Sequence, residues 1–182
     1  KLHPWAALVF AGSTFPKGYS SETGADMLLT NAAADINKPR GSLESLDDVT
    51  AIFKAQPEET MLNFLKASIK TNKEETEDVK KLHQAYSDGH FEELIPLLEE
   101  TEQRTLKLVD TKYAKAMSDW LKNDLLIRRN LAWLPKIRKQ SAKQSTLFAV
   151  GIAHLPSEKG LIELLRQEGY QVTPEPKVLI WQ

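Results

Sequence analysis

Apolar residues recur at helical spacing along most of this chain, and the pattern predicts a mainly helical protein. The run from Trp5 to Phe10 predicts a first helix with Pro4 in its first turn, where the N–H group that proline lacks would have no helical partner. A second helix is predicted to open at residues 21–24 and to carry apolar side chains from Met27 to Ile36. Lys38-Pro39 ends it, because the residue before a proline is biased away from helical backbone angles.

A short strand and two further helices are predicted next. The residues from Arg40 to Glu44 are interpreted as the strand. Ser45, with Asp48 three residues later, forms a weak capping box that starts a third helix. Pro57 separates that helix from the following one, which is predicted over residues 58–70.

Two oppositely charged stretches follow. Residues 74–102, predicted as a helical pair broken at Asp88-Gly89, carry 10 acidic and 2 basic side chains, whereas residues 110–143 carry 9 basic and 3 acidic ones. Charge runs usually mark solvated faces, so these stretches are interpreted as helices that pack on each other with complementary charge. A patch that binds a charged partner is the alternative.

The carboxyl end of the chain changes character. The short apolar run over 146–153 is typical of a strand that is buried on both faces. Ser157 is then predicted to cap a helix that ends at Gly169, and two further short strands are predicted over 171–173 and 177–181. Strand, helix and strand with short connections favour a right-handed βαβ unit.

These elements together predict an α/β fold that is predominantly helical with a small mixed sheet. The helical subregion over residues 57–143 is interpreted as an insertion between the short strand and the C-terminal βαβ unit. Residues 1–182 are expected to form a single domain.

Composition narrows the class of protein. The chain has 182 residues, a net charge of −1 and no cysteine, which excludes thiolate metal sites and thiol nucleophiles. Near-neutral charge gives no electrostatic case for nucleic acid, and no apolar run approaches the roughly 18–20 residues of a membrane span. Because the chain opens at Lys1 without an initiator Met or a signal-peptide pattern, we interpret it as the later part of a longer protein.

Two residues are predicted at the ends of strands, where ligands bind in open α/β sheets. His154 lies just past the buried strand, and Gly151 three residues earlier would let another backbone or a metal-bound group approach. Glu44 ends the short strand and could share that edge. The alternatives are a histidine hydrogen-bonded to a loop carbonyl, and a carboxylate that stabilises the following helix N-terminus.

A third candidate, Arg129, lies inside a predicted long helix. Trp133, four residues on, shares its face. Arg129 could stack on Trp133 and pair with a carboxylate in a purely structural role. It could also hold a substrate carboxylate or an acidic site residue.

Several separated motifs resemble those of one family. The tail from Phe148 to Pro156, followed by Gly160-Leu161, Leu164-Leu165 and Gly169 to Val172, resembles the carboxyl-terminal signature of the TraB/GumN family. Relatives of that family include the Tiki proteins and, more distantly, erythromycin-esterase-like and ChaN-like proteins. The other similar motifs are the R-N-x-x-W helix at Arg129-Asn130 and Trp133, G-x-D at Gly24 to Asp26, K-P…L-E at Lys38-Pro39 and Leu43-Glu44, and a turn at Tyr86 to Gly89.

The resemblance implies a bacterial metal-dependent hydrolase scaffold, like that of the Tiki metalloproteases, which use a pair of G-x-x-H motifs and acidic residues. It implies that His154 is a metal ligand or catalytic base with Gly151 as its spacer. It further implies that Glu44 is an acidic site residue and metal ligand, and that Arg129 either orients the substrate or supports a neighbouring site residue. The cofactor implied for the complete protein is a divalent ion, Zn, Mn or Co, which would activate a water molecule.

The family's first G-x-x-H and the acidic residue after it precede the helix at which this chain begins. One imidazole and one carboxylate do not complete a site that usually needs three protein ligands, so this chain alone is expected to be inactive and to bind metal weakly. The alternative function is a non-catalytic protein that sequesters a peptide or signal molecule.

The resemblance also suggests partners. The absent strands of the family sheet would pair near Leu147 to Ile152, which would leave an open strand edge in this chain. The expected partners are therefore the missing N-terminal segment, a peptide or small-molecule ligand, and a second copy of the chain at that edge. Export to the periplasm is expected only by analogy with bacterial members of the family.

Overall fold

The computed structural model of the protein describes residues 2–12, 17–20, 22 and 24–174 and is 70% helical. The chain divides into two compact units, an N-terminal unit, Lys1–Asp124, and a C-terminal unit, Leu125–Gln182. The division falls within a π-helical segment, Trp120–Ile127.

The N-terminal unit is built around one long helix. Its helices are α1 (Pro4–Gly12), α2 (Ala25–Asp35), α3 (Leu46–Lys54), α4 (Glu58–Asp88), α5 (Phe91–Leu106) and α6 (Thr111–Asp119). Helices α1, α5 and α6 all pack against α4, and Met61 of α4 and Met117 of α6 are fully buried. In contrast, α2 buries no residue, and the apolar side chains of Met27, Leu28 and Ile36 are exposed.

The predicted helix boundaries in this unit are largely confirmed. Helix α1 begins at Pro4, and the Ser45 hydroxyl accepts from the backbone N–H of Asp48 while the Asp48 side chain accepts from the N–H of Ser45. The predicted break at Asp88-Gly89 is also present, because Gly89 has a φ of 74°, a left-handed conformation that glycine adopts without strain. The helix predicted over 58–70 is longer than expected and continues to Asp88.

An ion pair between buried Asp78 of α4 and partly exposed Arg104 of α5 joins the two helices. The Asp78 side chain accepts hydrogen bonds from Nη1 of Arg104 at 2.7 Å and from the hydroxyl of Thr101 at 3.0 Å, and Lys81 Nζ lies 3.7 Å from it. Burial alone would raise the pKa of Asp78. The hydrogen bonds from Arg104 and Thr101 and the charges of Arg104 and Lys81 outweigh burial, so the pKa of Asp78 lies below its usual value.

The ion pair predicts a pH dependence of stability. Because Asp78 has a lower pKa in the folded protein than in the unfolded chain, ionised Asp78 stabilises the fold above the unfolded pKa of about 3.9. That contribution is lost as the pH falls through the folded pKa. We therefore expect Asp78→Asn to unfold at lower urea concentration at pH 7 and to lose less additional stability between pH 5 and pH 2, as measured by urea titrations.

Asp119→Asn is the matched control for that experiment. Asp119 pairs with Lys115 one turn away on an exposed surface of α6. Its removal is expected to change the free energy of unfolding by less than about 0.5 kcal/mol. An equal acid slope in wild type and Asp78→Asn would contradict the prediction.

The C-terminal unit packs one short helix against a longer one. Helix α7 (Arg128–Ser141) contacts α8 (Leu161–Gln167), and a 3₁₀ turn, Ile152–His154, lies between them along the chain. The apolar core of this unit comprises Trp133 and Ile137 of α7 with Leu161 and Leu164 of α8. This packing brings the turn and its loop against one face of α7.

The predicted α/β class is wrong, because the described residues contain no strand and no sheet. In the stretch predicted as a strand at 40–44, residues 40–42 are irregular and 43–44 form a bend, and residues 145–150 and 171–174 are irregular. An apolar run becomes a strand only where a neighbouring segment pairs with its backbone N–H and C=O groups, and nothing in the described part of the chain pairs with these runs. The predicted βαβ unit is therefore absent there, and its last strand, 177–181, lies outside the described residues.

The single domain over 1–182, with an insertion over 57–143, stays a prediction. The helices of the described residues include none that is both long and apolar enough to cross a membrane.

Candidate functional site

His154 lies inside the C-terminal unit, at the end of the 3₁₀ turn. The turn forms because the backbone N–H of His154 donates to the carbonyl of Gly151 at 2.9 Å, as in a single turn of tight helix. The residue is 6% exposed, so its imidazole is nearly removed from solvent. A polar ring in such a place requires hydrogen-bond partners for both of its nitrogens.

Asn130 of α7 is the first of these partners. Its Oδ1 lies 2.7 Å from Nδ1 of His154, and its Nδ2 donates to the backbone carbonyls of His154 at 3.2 Å and Lys159 at 2.9 Å. Asn130 is itself 2% exposed. One buried amide therefore contacts the ring of His154, its backbone and the far end of the following loop.

Arg129 is the second partner. Its Nη1 lies 3.3 Å from Nε2 of His154 and donates to the carbonyl of Leu125 at 3.0 Å. The guanidinium carbon stands 4.8 Å from the ring centre of Trp133, so the stacking that the structural alternative for Arg129 involves is present. The rings of Trp133 and His154 also contact each other, with centres 4.5 Å apart at a tilt of 44°.

Helical geometry explains why three residues of α7 meet one histidine. Positions 129 and 133 are four residues apart and therefore lie about 40° apart around the helix axis. Position 130 is rotated by about 100° from 129, which directs Asn130 toward the loop while Arg129 and Trp133 cover the ring. Arg128 is exposed, as expected from its different face.

The loop after His154 is held in a strained path. Ser157 has a φ of 79°, which is uncommon for a residue with a side chain. Gly160, at the start of α8, is buried against the backbone carbonyls of Leu155 and Pro156, and a Cβ atom there would overlap both oxygens. The loop therefore closes only with glycine at position 160.

The other predicted site residues are placed as follows. Gly151 has room for a side chain, since a Cβ atom there would meet only Cδ2 of His154 at 3.8 Å, so its role as a spacer for an approaching group stays a prediction. Glu44 is half-buried in a bend of the N-terminal unit, just before the Ser45 cap. That Glu44 shares a site with His154 also stays a prediction.

A metal ion in a protein usually needs at least three side-chain ligands. Over residues 2–12, 17–20, 22 and 24–174, no three His, Asp or Glu side chains converge closely enough to hold one. In the C-terminal unit His154 is one imidazole donor, and its Nε2 is bonded to a guanidinium. His154 could therefore supply one metal ligand. A metal centre would need further ligands, and Arg129 would have to move away from Nε2.

Two residues of this cluster carried no role in the sequence-based interpretation. The sequence identified Asn130 only as part of the R-N-x-x-W motif. Its role could not be predicted, because its hydrogen-bond partners are carbonyls of a loop more than 20 residues away. Gly160 was visible only as part of the Gly160-Leu161 pair, because the crowding around it depends on the fold of that loop.

Comparison with known proteins gives one match. The model of the family described as the TraB/PrgY/gumN family matches residues 1–174, which confirms the resemblance seen in the motifs. No curated protein and no solved structure matches the chain.

Proposed function

This chain belongs to the TraB/PrgY/gumN family, and we propose that it forms part of a metal-dependent, peptidase-like hydrolase in which His154 acts at the reacting centre. The observation that carries this proposal is the arrangement around the imidazole. His154 is buried, with Asn130 at one ring nitrogen and the Arg129 guanidinium at the other.

A role confined to packing explains this arrangement poorly. Burying an imidazole, an amide and part of a guanidinium requires many hydrogen bonds, and apolar side chains of similar volume would fill the space at lower free-energy cost. Oriented polar clusters of this kind are typical of reacting centres, where a ring must be held in one position and one protonation state.

Each residue has a proposed role. Nε2 of His154 would act as a base or as a metal ligand once Arg129 moves from it. Arg129 would then turn its guanidinium to a carboxylate or carbonyl oxygen of the substrate, with Trp133 as the surface on which it slides.

A divalent ion, Zn, Mn or Co, would have His154 as one of its ligands and would need further ligands beside it. When bound, such an ion supplies a water molecule of lowered pKa as the nucleophile. Peptides are the proposed substrate class.

The test is a substitution that keeps the site polar. His154→Gln in the natural protein is expected to lower kcat/KM for peptide hydrolysis by about a hundredfold or more, while the melting temperature falls by only a few degrees. Activity would be measured by mass spectrometry of a peptide mixture with added Zn²⁺, Mn²⁺ or Co²⁺. Arg128→Gln, a change on the exposed side of α7, is the control and should leave turnover unchanged. A folded His154→Gln protein with full activity would overturn the proposal.

A second function is favoured by one observation. Because Nε2 already accepts from Arg129 and the described residues supply no triad of metal ligands, the site is also suited to binding without turnover. In that case the protein would sequester a peptide or signal molecule. Saturable binding of a peptide that is recovered intact, with and without added metal, would favour this alternative.

A further inference from the structure

We infer that Asn130 is a positioning residue that selects which nitrogen of His154 carries the proton. In the selected form Nδ1 is protonated and Nε2 presents its lone pair. The importance of this choice for catalysis rests on the proposed function, but the protonated nitrogen is a property of this chain by itself.

The orientation of the Asn130 amide is fixed by its surroundings. One end of the amide faces two backbone carbonyl oxygens, those of His154 and Lys159, at 3.2 and 2.9 Å. Only the NH₂ group can donate to both, because the alternative orientation would place an oxygen against two oxygens. The other end of the amide is therefore Oδ1.

That oxygen determines the state of the imidazole. Oδ1 can only accept a hydrogen bond, so Nδ1 of His154, at 2.7 Å, must donate one. A neutral imidazole with a proton on Nδ1 has its lone pair on Nε2. The guanidinium of Arg129 agrees with this, because it can only donate and lies 3.3 Å from Nε2.

The distances indicate which partner decides. The contact with Asn130 is short and fully buried, whereas the contact with Arg129 is longer and comes from a side chain that also donates to Leu125. Hydrogen bonds weaken as they lengthen beyond about 3 Å. The structure therefore assigns the selection to Asn130 and a supporting contact to Arg129.

Asn130 also fixes where the ring lies. Its NH₂ group holds the carbonyl of the same residue whose ring its oxygen holds. The backbone and the ring of His154 are therefore both held by one buried amide on α7. A residue that merely filled space would hold neither the proton nor the ring.

The experiment is a measurement of the histidine ring nitrogens by NMR. In ¹⁵N-labelled protein, long-range ¹H–¹⁵N spectra at neutral pH distinguish a nitrogen that carries a proton from one that carries a lone pair. We expect wild-type His154 to carry its proton on Nδ1. His83 and His90 are exposed and serve as internal references for rings in contact with solvent.

Two variants separate the partners. Arg129→Met should keep the proton on Nδ1, because Asn130 remains. Asn130→Leu keeps the same number of side-chain heavy atoms but removes the acceptor, and it should shift the population of His154 toward the form protonated on Nε2. If Asn130→Leu does not fold, the wild-type ring and the Arg129→Met ring together still decide the inference.

The outcomes decide the inference independently of any catalytic activity. A wild-type ring protonated on Nε2 would overturn it, and so would a switch in Arg129→Met without one in Asn130→Leu. If the NMR results are as expected but His154→Gln retains full peptide hydrolysis, then the selection by Asn130 stands and the hydrolase proposal fails.

Discussion

Gly160→Ala is expected to lower the free energy of unfolding of the C-terminal unit by about 3 kcal/mol or more. The added Cβ atom would overlap the carbonyl oxygens of Pro156 and Leu155. Both atoms belong to the backbone, so no side-chain rotation relieves the overlap, and the loop must move. Movement of this loop would pull the carbonyl of Lys159 from Asn130. Thermal and urea unfolding followed by NMR signals of α7 and α8 would measure the loss.

Gly151→Ala is the matched control for that measurement. It is the same chemical change nine residues earlier, but its Cβ atom would meet only Cδ2 of His154, at the ordinary contact distance of 3.8 Å. Its backbone φ of −58° is one that alanine adopts readily. We expect a change within about 0.5 kcal/mol. Equal effects of the two substitutions would show that crowding at position 160 is not the cause.

Trp133→Ala is expected to lower the free energy of unfolding by about 3–5 kcal/mol. The indole is 4% exposed and packs between α7 and the turn that carries His154. Its removal leaves a large cavity and takes away the surface on which the Arg129 guanidinium stacks at 4.8 Å. Loss of stability should therefore be accompanied by a change in the NMR signals of the His154 ring.

Two further variants test the cause of that loss. Trp133→Phe keeps an aromatic face and is expected to lose clearly less stability than Trp133→Ala. Leu131→Ala, on the same helix but with a side chain 49% exposed, is expected to cost less than about 1 kcal/mol. Alanine is the most favourable helix former, so helix propensity does not account for a loss at either position. A comparable loss at positions 131 and 133 would contradict the buried contact of Trp133 as the cause.

The helices could be predicted from sequence because their causes are local. The Ser45 cap acts through Asp48 three residues away, and α4 ends at Gly89, whose N–H donates to carbonyls three and four residues earlier. In each case the partner that stabilises the boundary lies within one helical turn. The local sequence pattern then predicts where a helix begins and ends.

The strands could not be predicted in the same way, because pairing is not local. The run over 146–153 has the composition of a buried strand, yet in the described residues its first half is irregular and its last residues form part of a 3₁₀ turn. A strand requires a neighbour that the run itself does not specify. The fold class was predicted wrongly because the composition of the run indicates a strand but does not show whether another segment pairs with it.

The candidate site shows the same division. The contact between Arg129 and Trp133 follows from a spacing of four residues on one helix, and that spacing placed both residues on one face in the sequence analysis. The contact between Arg129 and His154 joins residues 25 positions apart, and only the fold brings them together. Glu44 belongs to the other unit, so its relation to His154 remains a prediction.

Asn130 holds two backbone carbonyls of the loop after His154, and these two hydrogen bonds limit how the length of that loop can change by mutation. Four residues, 155–158, connect the two carbonyls that the amide holds. Glu158 is exposed, so its side chain can be exchanged without altering the span between the anchors. An insertion or a deletion within this stretch would move one carbonyl out of register with α7. Homologous chains that retain the asparagine should therefore differ here in residue identity while keeping the number of residues constant.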